Sequence, residues 1–366
     1  MQLDFNDLVL VQSAVGLNSR SEVDLEYMPI FNAPMDTVLS EENAALFKSY
    51  GINLCFPRNS NATINNEDFI SLGLVEFEGL LDGENDLNGK KICIDVANGN
   101  MPALHEAIIK AKKMYPDVII MSGNVASVPA FLALASTGCD YIRVGVGSGS
   151  GCLTSVHTAV GQGLASLVQS CRATLEDVKK LKPEMQTKIV ADGGFRTYRD
   201  IILALALGAD YVMLGGIFNK AFESCSEKEI FINDDVRFKV KPKYNIGTPS
   251  FEIEPNSETT LNHSFDEFFS DKKDINELIK LKVITSKFRG MSTKAVQKDW
   301  GKAVLKSSEG IEKVNIVEYT LGGWMDNFKD YLKSAMSYSG ASKLGDFKKK
   351  AIVDKISKNA FDRFNK

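Results

Sequence analysis

Lys188-Ile-Val-Ala-Asp-Gly-Gly194 opens a stretch that runs to Gly216 and decides the fold of this chain. Its β-branched run is followed by Asp-Gly-Gly, by a segment of helical periodicity (Thr197–Leu207), by Gly-Ala-Asp and by a second apolar run, Tyr211–Leu214. The segment Ile119–Val146 repeats this order, with Gly-Asn after its first run and Gly-Cys-Asp before its second. The repetition predicts successive βα units of a parallel sheet.

Such a sheet can close into a (β/α)8 barrel or stay open as a doubly wound sheet. We favour the barrel, because glycine-rich and polar residues cluster just after the strands, where barrel enzymes place their active sites. The first βα loop has no GxGxxG fingerprint, which argues against a Rossmann fold. Further strands are predicted at Ile92–Val96, Val118–Met121 and Tyr141–Val144.

Composition and charge exclude several classes of protein. The chain has 366 residues, 25% of them charged, and a formal net charge of -4, so it has no overall basic field to attract nucleic acid. We find no apolar run of the roughly 18 residues that a membrane span needs and no secretory signal. The six cysteines are scattered without a CxxC pair, which favours a reducing cytoplasm over disulfides or zinc.

The run Val144-Gly-Val-Gly-Ser-Gly-Ser-Gly-Cys-Leu-Thr154 is the most informative candidate site. Its four alternating glycines follow a strand and can let backbone amides converge on an anion. The amide dipoles could also lower the pKa of the Cys152 thiol and favour the thiolate. A flexible turn with an inert cysteine explains the same composition, and the sequence pattern alone leaves both interpretations open.

Two later strands also end in glycines, at Asp192-Gly-Gly194 and Leu214-Gly-Gly216. In a barrel, glycine amides on neighbouring late loops make a phosphate cup. Asp192 suits a hydrogen bond to ribose hydroxyls, and the alternative is a cap for the helix that begins near Thr197. Asp95-Val-Ala-Asn-Gly99 and Gly123-Asn124 are polar strand ends of the same kind.

The stretch 223–287 interrupts the βα pattern with charged, polar and proline residues. We interpret it as a hairpin-bearing insertion or flap after a late barrel strand, with disorder over part of it as the alternative. The predicted organisation is therefore a first part of the barrel (1–222), this insertion (223–287), and a segment (288–366) with a catalytic flap, the end of the barrel and a lysine-rich tail. The polar composition of Cys225–Ile284 predicts that this part of the insertion buries little and is dispensable for folding of the barrel.

Taken together, the motifs resemble the family of inosine monophosphate dehydrogenases and guanosine monophosphate reductases. The resemblance runs from Leu3 to about Leu344, outside the insertion. It rests on eight motifs in the family's order: Ser19-Arg-Ser-Glu-Val-Asp-Leu25, Ala33-Pro-Met-Asp-Thr-Val38, Asp95-Val-Ala-Asn-Gly99, Ser122-Gly-Asn-Val125, Gly147-Ser-Gly-Ser-Gly-Cys152, Ala191-Asp-Gly-Gly194, Met213-Leu-Gly-Gly216 and Phe288-Arg-Gly-Met291.

The resemblance implies a (β/α)8 barrel, usually a tetramer, in which a cysteine adds to C2 of the purine of a nucleoside monophosphate. It makes Cys152 the nucleophile and Thr154 and Glu309 its acid/base partners. A monovalent cation, potassium, is implied on the backbone carbonyls of Gly147, Gly149 and Cys152. The remaining implied substrate contacts are Met35, Ser150, Asp192, Gly193, Gly194, Gly215, Gly216, Met291, Ser292, Lys306, Ser308 and Gly310, and the implied cofactor contacts are Asp95, Ala97, Asn98 and Asn124.

Three short motifs place the chain nearer the reductase branch. They are Asp95-Val-Ala-Asn-Gly99, Met291-Ser-Thr293 and Lys306-Ser-Ser-Glu-Gly310. The Arg-Tyr pair that activates water in dehydrogenase flaps has no match between Met291 and Glu309, whereas Ala33-Pro-Met-Asp36 is closer to the dehydrogenases. The resemblance thus implies reductive deamination of GMP, or its deoxyribose form, with NADPH. The alternatives are an NAD-dependent IMP dehydrogenase and a non-catalytic nucleotide-binding relative.

Several positions depart from the family's pattern. Leu153 stands for the usual Thr, Ser155 for the usual Arg, and Phe56-Pro-Arg-Asn59 for a His-Lys or His-Arg pair. Phe288 lacks the hydroxyl that dehydrogenases offer to the phosphate. These departures leave open whether the sugar is ribose or deoxyribose.

Overall fold

The computed structural model describes residues 2–231, 237–247, 249–254, 274–301, 307 and 309–364. In these ranges the strands, numbered along the chain, are β1 Leu8–Val11, β2 Ile30–Asn32, β3 Cys55–Phe56, β4 Phe69–Leu72, β5 Lys91–Asp95, β6 Ile119–Val125, β7 Tyr141–Val144, β8 Lys188–Asp192, β9 Tyr211–Leu214, β10 Lys228–Phe231, β11 Arg237–Lys243, β12 Ser250–Glu254, β13 Ile284–Arg289, β14 Glu312–Ile316 and β15 Ile352–Lys355. The α-helices are Glu41–Ser49, Leu74–Asp82, Pro102–Met114, Val128–Ala135, Thr154–Thr158, Leu164–Leu181, Tyr198–Ala206, Gly216–Asn219, Ile275–Lys280, Lys294–Asp299, Leu321–Tyr338, Leu344–Lys350 and Lys358–Phe364.

Eight parallel strands, β2 to β9, form the predicted barrel, and the fold prediction is confirmed. The sheet runs in the order β2-β9-β8-β7-β6-β5-β4-β3. Asn53 closes it, because its N–H donates to the carbonyl of Ile30 at 2.9 Å beside a parallel bridge to Phe31. One departure from the regular alternation lies between β3 and β4, which residues 57–68 join without an α-helix. Among the described helices, none is both long and apolar enough to cross a membrane.

Alternation along the strands divides the core into two layers. On β5, Ile92 and Ile94 pack outward against the helices, whereas Cys93 points into the barrel. Aromatic rings near the starts of the strands, those of Phe31, Phe69, Tyr141 and Tyr211, pack against one another at centroid distances of 5.0–6.0 Å. They fill the end of the barrel where the strands begin, which leaves polar residues for the opposite end.

The helix predicted at Thr197–Leu207 is observed at Tyr198–Ala206. Thr197 caps it, and Asp200 completes a capping box by accepting from the Thr197 N–H at 3.0 Å. Asp192 therefore has no part in capping this helix, which removes one of its two interpretations.

The segment after β9 differs from its sequence-based description. Strands β10 to β14 form one antiparallel sheet in the order β12-β11-β10-β13-β14, and the boundary drawn between residues 287 and 288 falls inside β13. Ile230, Val240 and Leu278 are buried there, together with Phe222 and other apolar side chains. The expectation that this segment buries little is wrong. The average polarity of the segment does not indicate this apolar face, because β11 alternates exposed and buried residues along its length.

A buried polar network joins this sheet to the barrel. Lys228 lies at its centre, fully enclosed, and its Nζ donates to the Ser224 carbonyl at 2.5 Å and to the Ser226 carbonyl at 3.2 Å. Ser226 contacts Ser286 of β13 at 2.5 Å, hydroxyl to hydroxyl. Burial lowers the pKa of Lys228 to about 7, against the partial opposing effects of Cys225 and Glu223.

This depressed pKa predicts how folding stability depends on pH. Between about pH 7 and 10 the unfolded chain carries a proton on Lys228 that the folded chain does not, so the free energy of unfolding rises with pH by at most about 1.4 kcal/mol per pH unit. In Lys228→Met this contribution is absent. We expect the stability of the wild type relative to Lys228→Met to increase from pH 7 to pH 10, as measured by urea denaturation. Lys239→Met, at an exposed position of β11, is the control and should keep the wild-type dependence; parallel curves for all three proteins would contradict the prediction.

Candidate active site

A cavity of about 660 Å³ opens at the end of the barrel where the parallel strands end. Loops after β2, β5, β7, β8 and β9 line it, as does the segment after β13. Its volume lies in the range of pockets that hold small molecules and cofactors. Most of the predicted site residues line this cavity, in agreement with the position expected for a barrel enzyme.

Cys152, Thr154 and Glu309 form a continuous hydrogen-bonded chain in the cavity. The Cys152 thiol donates to Thr154 Oγ1 at 3.2 Å, and the Thr154 hydroxyl donates to Glu309 Oε2 at 2.5 Å. The backbone reinforces the contact, since the Leu153 N–H donates to the Glu309 carbonyl at 2.6 Å and Cys152 forms an antiparallel bridge with Gly310. This arrangement can move a proton from a thiol to a carboxylate through one hydroxyl group.

The glycines at the ends of β8 and β9 face the Cys152 loop at close range. Gly193 and Gly194 have φ angles of +87° and +81°, which favour glycine, and a Cβ on Gly193 would lie 3.0 Å from the amide nitrogen of Gly149. A Cβ on Gly216 would lie 2.6 Å from Ser150 Oγ. These loops therefore meet around a small space lined by backbone groups and by the hydroxyl groups of Ser148 and Ser150. Because this set includes the residues predicted to hold the phosphate, we call Ser148–Ser150, Gly193, Gly194, Gly215 and Gly216 the phosphate cup.

A buried arginine connects the carboxylates on the cavity floor. Arg143 Nη1 lies 2.6 Å from Asp95 Oδ1, and Arg143 Nη2 lies 2.9 Å from Asp192 Oδ2. Burial alone would lower the pKa of Arg143, but Asp192 and Asp95 raise it well above its ordinary value, so it stays charged. Asn124 Nδ2 donates to Asp192 Oδ2 at 2.7 Å and to the Gly145 carbonyl at 2.8 Å. Asp95, Asn124 and Asp192 thus belong to one network at the cavity wall.

Only some of the other predicted residues lie at the cavity. Met35, Ala97, Gly147, Met291 and Ser292 line the cavity. Asn98 does not: it is exposed, and its Oδ1 accepts a hydrogen bond from the Asn100 N–H at 3.0 Å. Gly310 lies behind Cys152 rather than on the cavity surface, and Lys306 and Ser308 lie outside the described residues. The Gly149 carbonyl, one of the implied cation ligands, accepts from the Cys152 N–H at 2.9 Å.

Sequence reasoning missed a polar cluster on the outer side of the cavity. Arg58 Nη2 contacts Glu76 Oε1 at 2.9 Å and Oε2 at 3.1 Å, and the guanidinium lies 4.1 Å from the centroid of the Trp300 ring. Arg143 was also missed, although a charged residue inside the buried strand Tyr-Ile-Arg-Val was a signal that it needs a buried partner. No comparable sequence pattern predicted Trp300, which directly follows the helix Lys294–Asp299 and lines the cavity.

Comparison with known proteins agrees with this geometry. Residues 85–363 match the family model described as the IMP dehydrogenase / GMP reductase domain. Human GMP reductase 1 is 31% identical over 258 residues, which cover 62% of this chain and 72% of that protein. GMP reductase 2 of Bos taurus is 32% identical over 257 residues (62% and 71%), and the GMP reductase of Escherichia coli O81 (strain ED1a) is 32% identical over 247 residues (59% and 69%). The chain therefore belongs to the IMP dehydrogenase / GMP reductase family, as its motifs predicted.

Proposed function

We propose that this protein catalyses the NADPH-dependent reductive deamination of a guanine nucleotide, GMP or its deoxyribose form, to the inosine nucleotide and ammonia. The observation that carries the proposal is the hydrogen-bonded chain from Cys152 through Thr154 to Glu309. Similarity to proteins named GMP reductases supports the same reaction. A homotetramer, a cytoplasmic location and a potassium ion on the Cys152 loop are further proposals that rest on the family resemblance.

The site would bind the phosphate of the substrate at one end and its base at the other. Backbone amides of Gly194, Gly215 and Gly216 and the Ser150 hydroxyl would hold the 5′-phosphate. The positive φ of Gly194 and the close approach of neighbouring atoms to Gly215 and Gly216 leave no room for side chains there. Asp192, held in place by Arg143, would accept hydrogen bonds from the sugar hydroxyls. The base would then lie over Cys152, between Met35 and the segment that carries Met291 and Ser292.

Catalysis would begin at the Cys152 sulfur. The thiol proton passes through Thr154 to Glu309 while the sulfur bonds to C2 of the guanine base. The C2–N bond then breaks, and Glu309 returns the proton through Thr154 so that the amino group leaves as ammonia. When bound, the nicotinamide cofactor supplies the hydride that replaces the C2–S bond, and Cys152 is released as the thiolate.

The residues that line the cavity beyond Cys152 fit a second polar ligand, the nicotinamide cofactor. The cavity continues past Asp95 and Ala97 to Arg58, Glu76 and Trp300, and it is large enough to hold more than the substrate base. Arg58 Nε is buried without a hydrogen-bond partner among the described residues, which leaves a donor for a bound group. Arg58 and Trp300 would therefore hold the cofactor, with Asp95 nearer the reacting carbon.

The base preference separates the reductase from its alternatives. If the proposal is right, GMP should raise the melting temperature at least as much as IMP at equal concentration; a ligand at 100 times its Kd stabilises by about 2.7 kcal/mol. The absorbance of NADPH should also fall with time when GMP is present, because the cofactor is oxidised. A clear preference for IMP with reduction of NAD would instead indicate a dehydrogenase, and nucleotide binding with neither turnover would indicate a non-catalytic relative.

A further inference from the structure

Asn219 is a buried polar residue that the proposed reaction does not use. It ends the short helix Gly216–Asn219, which begins in the phosphate cup, and its side chain is fully enclosed. Its backbone N–H donates to the carbonyl of Gly215, a residue of the cup, at 2.9 Å. Asn219 is therefore attached directly to the cup, and its buried amide has to find its hydrogen-bond partners inside the protein.

The side-chain amide of Asn219 joins two segments that line the cavity. Its Nδ2 donates to the Thr37 carbonyl at 3.0 Å and to the Lys287 carbonyl at 2.8 Å. Thr37 follows Met35 by two residues and Lys287 directly precedes Phe288, and both Met35 and Phe288 line the cavity. Because a carbonyl oxygen can only accept a hydrogen bond, these two partners fix the orientation of the amide.

A third segment is attached through the oxygen of the same amide. Asn315 of β14 donates from its Nδ2 to Asn219 Oδ1 at 2.7 Å. Strand β14 begins three residues after Glu309, the proposed acid/base residue. The backbone carbonyl of Asn219 also accepts from the Ser286 hydroxyl of β13 at 2.9 Å. One buried residue thus connects the phosphate cup to the loop after β2 and to the paired strands β13 and β14.

A bound substrate would span the distance that these contacts set. In the proposed function, on which this inference rests, the cup holds the 5′-phosphate, whereas Cys152, Glu309 and the segment with Met291 act on the base. We propose that Asn219 is a positioning residue, which holds the phosphate cup at a fixed distance from β13 and β14 and so places the base for attack by Cys152. A misplacement of about 1 Å, caused by a change far from the reacting atoms, can lower a rate by about 10²-fold.

The test variant is Asn219→Asp, whose carboxyl group has nearly the same size but cannot donate to both carbonyls. We expect the single-turnover rate of ammonia release from GMP to fall by about 10- to 100-fold, because the base is less well aligned. GMP affinity, measured by isothermal titration, should change by less than about threefold, because the cup keeps its amides and the Ser150 hydroxyl. Asn315→Ala removes only the bond to the amide oxygen, and it should show a smaller loss of rate with unchanged affinity; it serves as the test if Asn219→Asp does not fold.

Asn53→Asp is the matched control. Asn53 Nδ2 likewise donates to two backbone carbonyls, those of Met28 and Ile30, each at 2.9 Å. Asn53 precedes β3 and contacts the first residue of β2, so it lies at the end of the barrel opposite to the cavity. Both Asp variants should lower the midpoint of urea denaturation, but Asn53→Asp should keep the wild-type rate of ammonia release.

The possible outcomes separate a positioning role from a structural one. A wild-type rate in either folded variant, Asn219→Asp or Asn315→Ala, would overturn the inference, because Asn219 would then contribute to stability alone. Loss of GMP affinity as large as the loss of rate, or an equally slow Asn53→Asp, would refute it as well. Ammonia release by the wild type upholds the proposed function in each of these cases, whereas a wild type that does not turn over GMP would contradict both proposals.

Discussion

Cys152→Ser is expected to lose essentially all turnover while it still binds GMP. The hydroxyl group fills nearly the same space and can keep the hydrogen bond to Thr154, but it is a far weaker nucleophile than a thiolate. NADPH consumption and ammonia release measure turnover, and isothermal titration measures GMP binding. Substantial residual turnover would remove Cys152 from the mechanism.

The other cysteines provide the control for this experiment. Burial raises the pKa of the Cys225 thiol to about 12, and the thiol donates to the Asp36 carbonyl at 3.2 Å. Burial likewise raises the pKa of Cys171 to about 12. Such thiols are protonated and inert near neutral pH. Cys225→Ser should therefore retain wild-type turnover, and in the wild type GMP should protect a single reactive cysteine, Cys152, from iodoacetamide.

Thr154→Ala and Glu309→Gln are each expected to slow deamination by about 10²–10⁴-fold, the usual contribution of positioned proton transfer. Thr154→Ala removes the hydroxyl that links the thiol to the carboxylate, and Glu309→Gln removes the group that receives the proton. The Leu153 N–H still has the Glu309 backbone carbonyl as its acceptor in both variants, so the loop keeps its attachment. Single-turnover measurements of ammonia release test the chemical step directly.

The double variant distinguishes a relay from two separate contributions. In the proposed relay Thr154 passes its proton to Glu309, so removing both should be hardly worse than the poorer single variant. Glu312→Gln, on the exposed part of β14, is the matched control and should leave the rate unchanged. Losses that multiply in the double variant would mean that the two residues do not cooperate, and the acid/base role of Glu309 would have to be withdrawn.

The local features of the site could be predicted because they depend on neighbouring residues. Cys152 and Thr154 are two residues apart, so the glycine-rich run already placed them on one loop. The glycines of the phosphate cup could be recognised from the composition of the loops. The positive φ angles of Gly193 and Gly194 explain why no other residue suits these two positions. The sequence left two interpretations of Asp192 open, and the structure removes the capping one because Thr197 caps the following helix.

The sheet beyond the barrel shows why other features could not be predicted. The average composition of the segment is charged, so it does not indicate that one face of the sheet is apolar. Only strand pairing shows that Ile230 and Val240 share a core with Phe222. The pairing of β13 with both β10 and β14 joins two stretches that composition alone places in different parts of the chain. A boundary read from composition cannot detect such hydrogen bonds, because they connect residues distant in sequence.

The sequence by itself determined a parallel sheet of βα units through its periodicity, and the glycine-rich and polar strand ends favoured the barrel over an open sheet. It also located the loop that carries Cys152, because that loop is recognised from residue types over a short distance. The family resemblance paired Glu309 with Thr154, and the tertiary structure shows the contact that joins them across 155 residues of chain. Tertiary structure alone decided that Arg143 joins Asp95 to Asp192. It also decided that Trp300 lies against Arg58. These contacts depend on how closed barrel strands and the neighbouring sheet bring distant segments together, and side-chain geometry of that kind is set by packing rather than by local preference.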